Sequence, residues 1–258
     1  MIDYDEQLAK ETERTYLMPE IAYQRTRTLS VLQLRAGECV LDVGCGMGLL
    51  ARELAIAVGP EGRVVGMDNS ASMIELAKKR CADFPQIELR AQSVESLPEL
   101  DNCYDVVTCT QLLLYLPHVE YALTEMNRVL KPGGRIAVVE TDWRGVLFNT
   151  MDDALTQRLF DGWESSIPSP HLPGQLLNLL GQAGFGAIHV EAIPLINTSY
   201  LSDNYSASMV EYMLRAEIDA GTISQADADE YIGDLKARSK AGTYFFCVNR
   251  FLFTGSKI

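Results

Sequence analysis

Residues 40–48 read Val40-Leu41-Asp42-Val43-Gly44-Cys45-Gly46-Met47-Gly48, and the fold turns on them. A short apolar run that ends in glycines has the composition of a buried parallel strand delivering its chain into a tight turn. Glycines at alternate positions let the backbone approach a ligand closely, although close helix packing would use them too. In an open α/β sheet the ligand crevice lies at the carboxyl ends of the strands, near the reversal of strand order. Position 49 is Leu, so the dinucleotide pattern GxGxxG is not completed, and no GxxxxGK[ST] loop occurs. Asp42, two residues before the first glycine, would oppose a pyrophosphate. It suits a ligand that carries an ammonium and a sulfonium.

Outward from this turn, strand and helix patterns alternate. GLLARELAIAVG (48–59) has helical spacing, RVVGMD (63–68) reads as a second strand, and SASMIELAKKRCADF (70–84) as a helix capped by Ser70 or Ser72. IELRAQS (87–93), YDVVTCTQLLLYL (104–116) and RIAVVETDW (135–143) read as three further strands. A helix (118–130) and a KPGG turn precede the last of these. Such alternation predicts a parallel sheet with right-handed crossovers. Residues 1–35 read as helical, with an apolar stripe through Leu29, Val31, Leu32 and Leu34. Beyond about residue 143 the pattern loosens into a helix (172–185), a strand (187–195), two helices within 203–240, and a closing strand (243–255). The expected organisation is one domain over 1–258, its core about 36–145, with a helical insertion at about 203–240 before the last strand.

Composition narrows the partners. The net charge is −13, so a nucleic acid would meet repulsion. Six scattered cysteines, without zinc-type clustering, read as reduced core residues of a cytoplasmic protein, and no metal site is expected. The polar N-terminal stretch has no signal-peptide pattern, and no apolar run approaches the ~20 residues of a membrane span.

Asp68 ends the second strand, twenty residues after Gly48. A carboxylate there can accept both hydroxyls of a ribose, or it can cap the following helix. DVGCGMG, GMDNSASMIELAKKR, AQSVESLP, YDVVTC and EMNRVLKPGGRIAVVE, in this order, resemble class I S-adenosylmethionine (AdoMet)-dependent methyltransferases. The likeness is greatest to the branch holding ubiquinone and menaquinone C-methyltransferases, and it covers about residues 38–142.

The resemblance implies a doubly wound, Rossmann-like α/β fold. Its seven-stranded sheet would be mostly parallel with an antiparallel last strand, joined by N-terminal helices and a small helical lid. AdoMet is the implied cofactor. Asp42, Gly44 and Gly46 would line its methionine part, Asp68 would hold the ribose, and Asn69 and Met73 would border ribose and adenine. Ser93 stands where the family usually has the Asp that receives the adenine amino group, and Val94 would offer its backbone amide. Thr110 would touch the methionine end, and Arg25 or Arg27, with Arg27 preferred, would pair with its carboxylate.

Methyl transfer from a sulfonium is an in-line displacement. The protein supplies alignment, exclusion of water and, for some acceptors, a general base. No nucleophile is therefore needed, and Cys45 is not proposed as one. Candidates for catalysis are Asp142, His171 and Tyr115, and for the acceptor Trp143 and His171. Each has a plainer reading, as loop anchor or packing. A small-molecule acceptor is expected, methylated at O, N or C, by a monomer or homodimer. The alternatives are an AdoMet-binding enzyme of non-methylating chemistry and a non-catalytic AdoMet-binding partner subunit.

Overall fold

The structure is a computed structural model that describes residues 6–95 and 97–258. The chain opens with two helices, α1 (Glu6–Leu17) and α2 (Pro19–Leu32). The 1–35 stretch read as helical therefore breaks at Met18-Pro19, because proline begins a helix readily but cannot continue one. Residues 1–5 of that stretch lie outside the described residues.

The alternating half follows as expected: β1 (Cys39–Val43), α3 (Leu49–Val58), β2 (Arg63–Asp68), α4 (Ala71–Arg80), β3 (Ile87–Ala91), β4 (Tyr104–Thr110), α5 (Val119–Val129) and β5 (Leu130–Thr141). Ser70 caps α4 by accepting from the Met73 amide at 3.3 Å. The pattern 104–116 is a strand only to Thr110; Leu113–Tyr115 form a single 3-10 turn.

After a second 3-10 turn (Trp143–Gly145) come β6 (Leu147–Phe148), α6 (Asp153–Ser165), α7 (Pro173–Gln182), β7 (Phe185–Asn197), α8 (Tyr205–Asp219), α9 (Gln225–Ala241) and β8 (Phe246–Lys257). No pattern in the sequence marks helix α6. It rests on the Asp152 cap and a buried stripe through Leu155, Leu159 and Phe160. Helices α8 and α9 are the expected pair before the last strand, and a reciprocal Ser224/Asp227 capping box opens α9.

Among the described residues the sheet has eight strands rather than seven, in the order β3-β2-β1-β4-β5-β8-β6, with β7 also on β8. The extra strand is the two-residue β6, which pairs Leu147 and Phe148 with Cys247 and Phe246. Strands β1 to β5 are mutually parallel, and β8 runs antiparallel to both β5 and β7.

Alternation along the strands divides the core. Val40, Val64, Val106 and Val139 face Leu50, Leu54 and Val58 of α3. Leu41, Val43, Val107 and Val138 face the side of α5 and α7. Burial on both faces explains why these strands read as continuous apolar runs. Truncating a fully buried leucine such as Leu54 would cost about 2–5 kcal/mol. This scaffold fixes the strand ends where the cavities open.

Candidate active site

At the carboxyl ends of β1 and β2 the backbone turns sharply. Gly44 and Cys45 both donate to the Met67 carbonyl, at 2.7 and 2.9 Å. Gly44 has φ +72°, and a Cβ there would sit 3.0 Å from Leu112; Gly48 has φ +79°, with Ala77 and Cys81 Sγ at the same distance. An L-residue would be strained at either position. Gly46 differs, because nothing lies within 4 Å of its missing Cβ. That open space belongs to a cleft of about 500 Å³.

Two carboxylates set the polarity of this cleft. Asp68 Oδ2 accepts from the Gly46 amide and Oδ1 from the Ser70 amide, both at 2.9 Å. Burial pushes its carboxyl up, opposed by those two N–H donors. Each oxygen keeps a lone pair for a further donor. Asp42 is 1% exposed, and its Oδ2 has no partner among the described residues. Burial, with Asp68 adding repulsion, raises its carboxyl to about 7. An unpartnered buried carboxylate favours a cationic ligand.

Asn69, Met73, Ser93 and Thr110 line the same cleft, so the geometry gathers most of the predicted residues. The Ser93 hydroxyl accepts from the Glu95 amide at 3.3 Å, which folds Glu95 into the cleft wall beside it. Val94 is buried and its side chain stays out of the wall.

Arg27 requires correction. It forms a two-pronged pair with Glu191 at 2.9 and 2.7 Å and does not line the cleft. Helical geometry turns residues two apart to different faces, so Arg25 is the one that faces inward. Arg25 donates to Glu53 at 3.1 Å and to the Tyr16 carbonyl at 2.5 Å.

A second cavity, about 210 Å³, adjoins the cleft and shares Thr12, Tyr16, Gln111, Tyr115 and Arg250 with it. Its further wall is aromatic and thioether. Trp143 meets Trp163 edge-on at 5.4 Å, Trp163 meets Tyr212 at 5.6 Å, and Met209 and Met213 of α8 close it.

Three residues here escaped sequence reading. Gln111 has φ +52° and is held by its own amide and side-chain N–H on the Val139 carbonyl and by Thr141. Strain of this kind in a non-glycine residue clusters at functional sites. Glu140, fully buried, accepts from the Leu113 and Leu112 amides at 2.7 and 3.2 Å. Burial raises its carboxyl to about 8, against those amides. It thereby anchors the turn that carries Tyr115. Arg250 of β8 is the third. No local pattern marked any of them.

Tyr115 and Trp143 do line the second cavity, but Asp142 and His171 line neither. Asp142 caps the 143–145 turn and takes Arg144 at 3.0 and 2.6 Å. Burial would raise its carboxyl, but the Arg144 guanidinium and amide outweigh that and hold it below the ordinary value. A carboxylate so held is a poor general base. His171 sits between Asp142 at 3.6 Å and Glu164 at 3.4 Å, tying the 168–173 loop to α6.

A family profile described as a methyltransferase domain matches residues 40–134. This match and the relatives below make the chain similar to class I AdoMet-dependent methyltransferases, and the fold agrees. Demethylmenaquinone methyltransferase of Staphylococcus aureus is 41% identical over 117 residues, 45% of this chain and 48% of that protein. An uncharacterised 37.1 kDa protein in transposon Tn4556 of Streptomyces fradiae is 31% identical over 231 residues, covering 87% of this chain and 64% of that one. The chain thus spans between about half and two thirds of the length of these relatives. Among solved structures, the Haemonchus contortus phosphoethanolamine N-methyltransferase 2, bound to phosphomonomethylethanolamine and S-adenosylhomocysteine, superposes with a TM-score of 0.66. The identity is 19%, over 98% of this chain and 58% of that one.

Proposed function

We propose that this chain transfers a methyl group from AdoMet to a small-molecule acceptor, with the cofactor in the carboxylate-bearing cleft and the acceptor in the aromatic cavity. The observation that carries the reading is the shared wall. Gln111, Tyr115 and Arg250 border both cavities, so two ligands would meet there with water excluded.

The residues present fit the cofactor. Gly46 leaves a cradle that a Cβ would fill, and Asp42 offers an unpartnered carboxylate to the positive end of the molecule. Asp68 would accept the ribose hydroxyls on its free lone pairs, with Asn69 and Met73 beside the ring. Glu95, next to Ser93, supplies a carboxylate for the adenine amino group, and the Val94 amide would serve the ring. Arg25 replaces Arg27 as the partner of the methionine carboxylate. Thr110, whose buried hydroxyl has no partner among the described residues, adds a donor there.

AdoMet, when bound, supplies an electrophilic methyl on a good leaving group. The protein aligns the acceptor with Tyr115 and the aromatic wall, and Glu140 holds Tyr115 in place through its turn. The cysteines, all unpaired, suit a reducing compartment such as the cytoplasm. Among the described residues no helix is long and apolar enough to cross a membrane.

Isothermal titration calorimetry with AdoMet and S-adenosylhomocysteine, on the wild type and on Asp68→Ala, tests the reading. Micromolar binding that the substitution weakens at least a hundredfold supports it; a folded wild type that binds neither ligand overturns it.

A further inference from the structure

The two cavities differ in their unmet hydrogen-bonding needs. In the cleft the unpartnered buried atoms are mixed: the carboxylate oxygen Asp42 Oδ2 and the Thr110 hydroxyl stand beside the donors Gln24 Nε2 and Arg250 Nε, the last shared with the second cavity. Among residues lining the aromatic cavity they are donors alone: Arg250 Nε, Trp143 Nε1 and Trp163 Nε1. A guanidinium or indole N–H cannot accept a hydrogen bond, so each can be satisfied only by a ligand that accepts.

Arg250 is the centre of this asymmetry. It is 3% exposed, yet no carboxylate of the described residues comes within 4.0 Å of it. Its Nη1 donates to Gln24 Oε1, the Tyr205 ring lies 5.5 Å from the guanidinium carbon, and Nε has no partner among the described residues. Glu140 is the buried carboxylate in electrostatic reach of Arg250, but its Oε1 serves the Leu112 and Leu113 amides and it forms no ion pair with the guanidinium. A buried cation without a direct ion pair is costly unless something that visits the site neutralises it. The rest of the wall does not reverse the sign. Glu11 and Glu211 stand against Arg14, Arg215 and Arg250, and Glu11 is already paired with Arg215 at 3.0 Å.

We propose that Arg250 is the anion anchor of the acceptor site, and that the acceptor is an aromatic molecule about one ring in size bearing a carboxylate. The tryptophan and tyrosine edges at 5.4–5.6 Å favour a ring, and about 210 Å³ compares with the ~150 Å³ that holds benzene in an engineered apolar cavity. The guanidinium fork matches the two oxygens of a carboxylate. This rests on the methyltransferase reading and adds the acceptor's chemical class.

The test uses a matched pair, phenylacetate and its uncharged amide, added to the full chain saturated with S-adenosylhomocysteine. The chain's two tryptophans, Trp143 and Trp163, both line the cavity, so their emission reports occupancy directly. Phenylacetate is expected to change that emission saturably and to bind about tenfold or more tightly than the amide. Arg250→Met should bring the two ligands within twofold of each other, and Arg250→Lys should keep part of the preference. Equal binding of acid and amide to the wild type, or a preference that survives Arg250→Met, would overturn the proposal, and the wild-type comparison holds even if that variant fails to fold. A larger loss of S-adenosylhomocysteine affinity than of acid preference in Arg250→Lys would also overturn it, by giving Arg250 to the cofactor's own carboxylate. Failure of the wild type to bind S-adenosylhomocysteine while the acid preference persists would strike the methyltransferase reading instead.

Discussion

The cleft and the aromatic cavity share a wall but are built in opposite ways. Asp42, Gly44, Gly46, Asp68, Asn69 and Met73 all fall on β1, β2, the turns that follow them and the first turn of α4, between residues 42 and 73. The aromatic cavity takes Tyr16 from α1, Tyr115 and Trp143 from two 3-10 turns, Trp163 from α6, Met209 from α8 and Arg250 from β8. One is a local motif on a rigid strand pair. The other is a meeting of distant segments, and its polarity follows from which donors that meeting leaves unpaired.

The sharpest break of this comparison is Asp68→Ala. It removes two charge-assisted hydrogen bonds to a ribose and the acceptor for the Gly46 amide. Affinity for S-adenosylhomocysteine should fall about 10²–10³-fold by calorimetry, with phenylacetate binding changed less than threefold. A parallel loss in both cavities would mean that they are not separable.

Gly44→Ala comes next. The left-handed backbone and the 3.0 Å approach of Leu112 should cost about 2 kcal/mol, read as a fall of several degrees in Tm together with weaker cofactor binding. An unchanged Tm would remove the claim that the turn is fixed sterically.

The pH dependence sharpens the electrostatic half. Burial raises Asp42 to about 7, so the ligand-free protein is stabilised by the protonated form below about 4 and loses that contribution as pH rises through about 7. A cationic ligand favours the ionised form, so AdoMet affinity should rise up to about tenfold between pH 6 and 8. Calorimetry on Asp42→Asn should show a flatter profile, because only Asp42 has been removed from the titration. Equal slopes would assign the effect to the ligand.

Tyr212→Ala tests the other cavity. Losing the edge contact to Trp163 should weaken phenylacetate binding roughly tenfold and leave S-adenosylhomocysteine within twofold. The smallest effect belongs to Arg27→Ala, whose Glu191 pair is half-exposed and lies off the cleft. Cofactor affinity should stay within twofold by calorimetry, and a larger loss would restore the role that sequence reading gave it.

Legibility in the sequence followed the length scale of each interaction. Strand and helix periods, the positive-φ glycines and the two aspartates at strand ends are local, so residues 38–142 disclosed the parallel half of the sheet and most of the cleft wall. Gln111 carried no signal because its left-handed backbone depends on Val139 and Thr141 of the neighbouring strand. Arg25 and Arg27 differ by less than one helical turn, and only packing against α3 and β7 chose which one faces inward.

The sequence by itself determined the alternating strands and helices of a parallel α/β sheet and the carboxylate-lined turn, because period, glycine placement and strand-end chemistry act over a few residues. The antiparallel last strand followed from the family resemblance. Tertiary structure alone decided the eighth strand, the retirement of Asp142 and His171 into loop anchors, and the burial of Arg250 without a direct ion pair among the described residues. These depend on contacts between segments up to 226 residues apart, as with Arg250 and Gln24, and a linear pattern does not encode which distant side chains are left to satisfy one another.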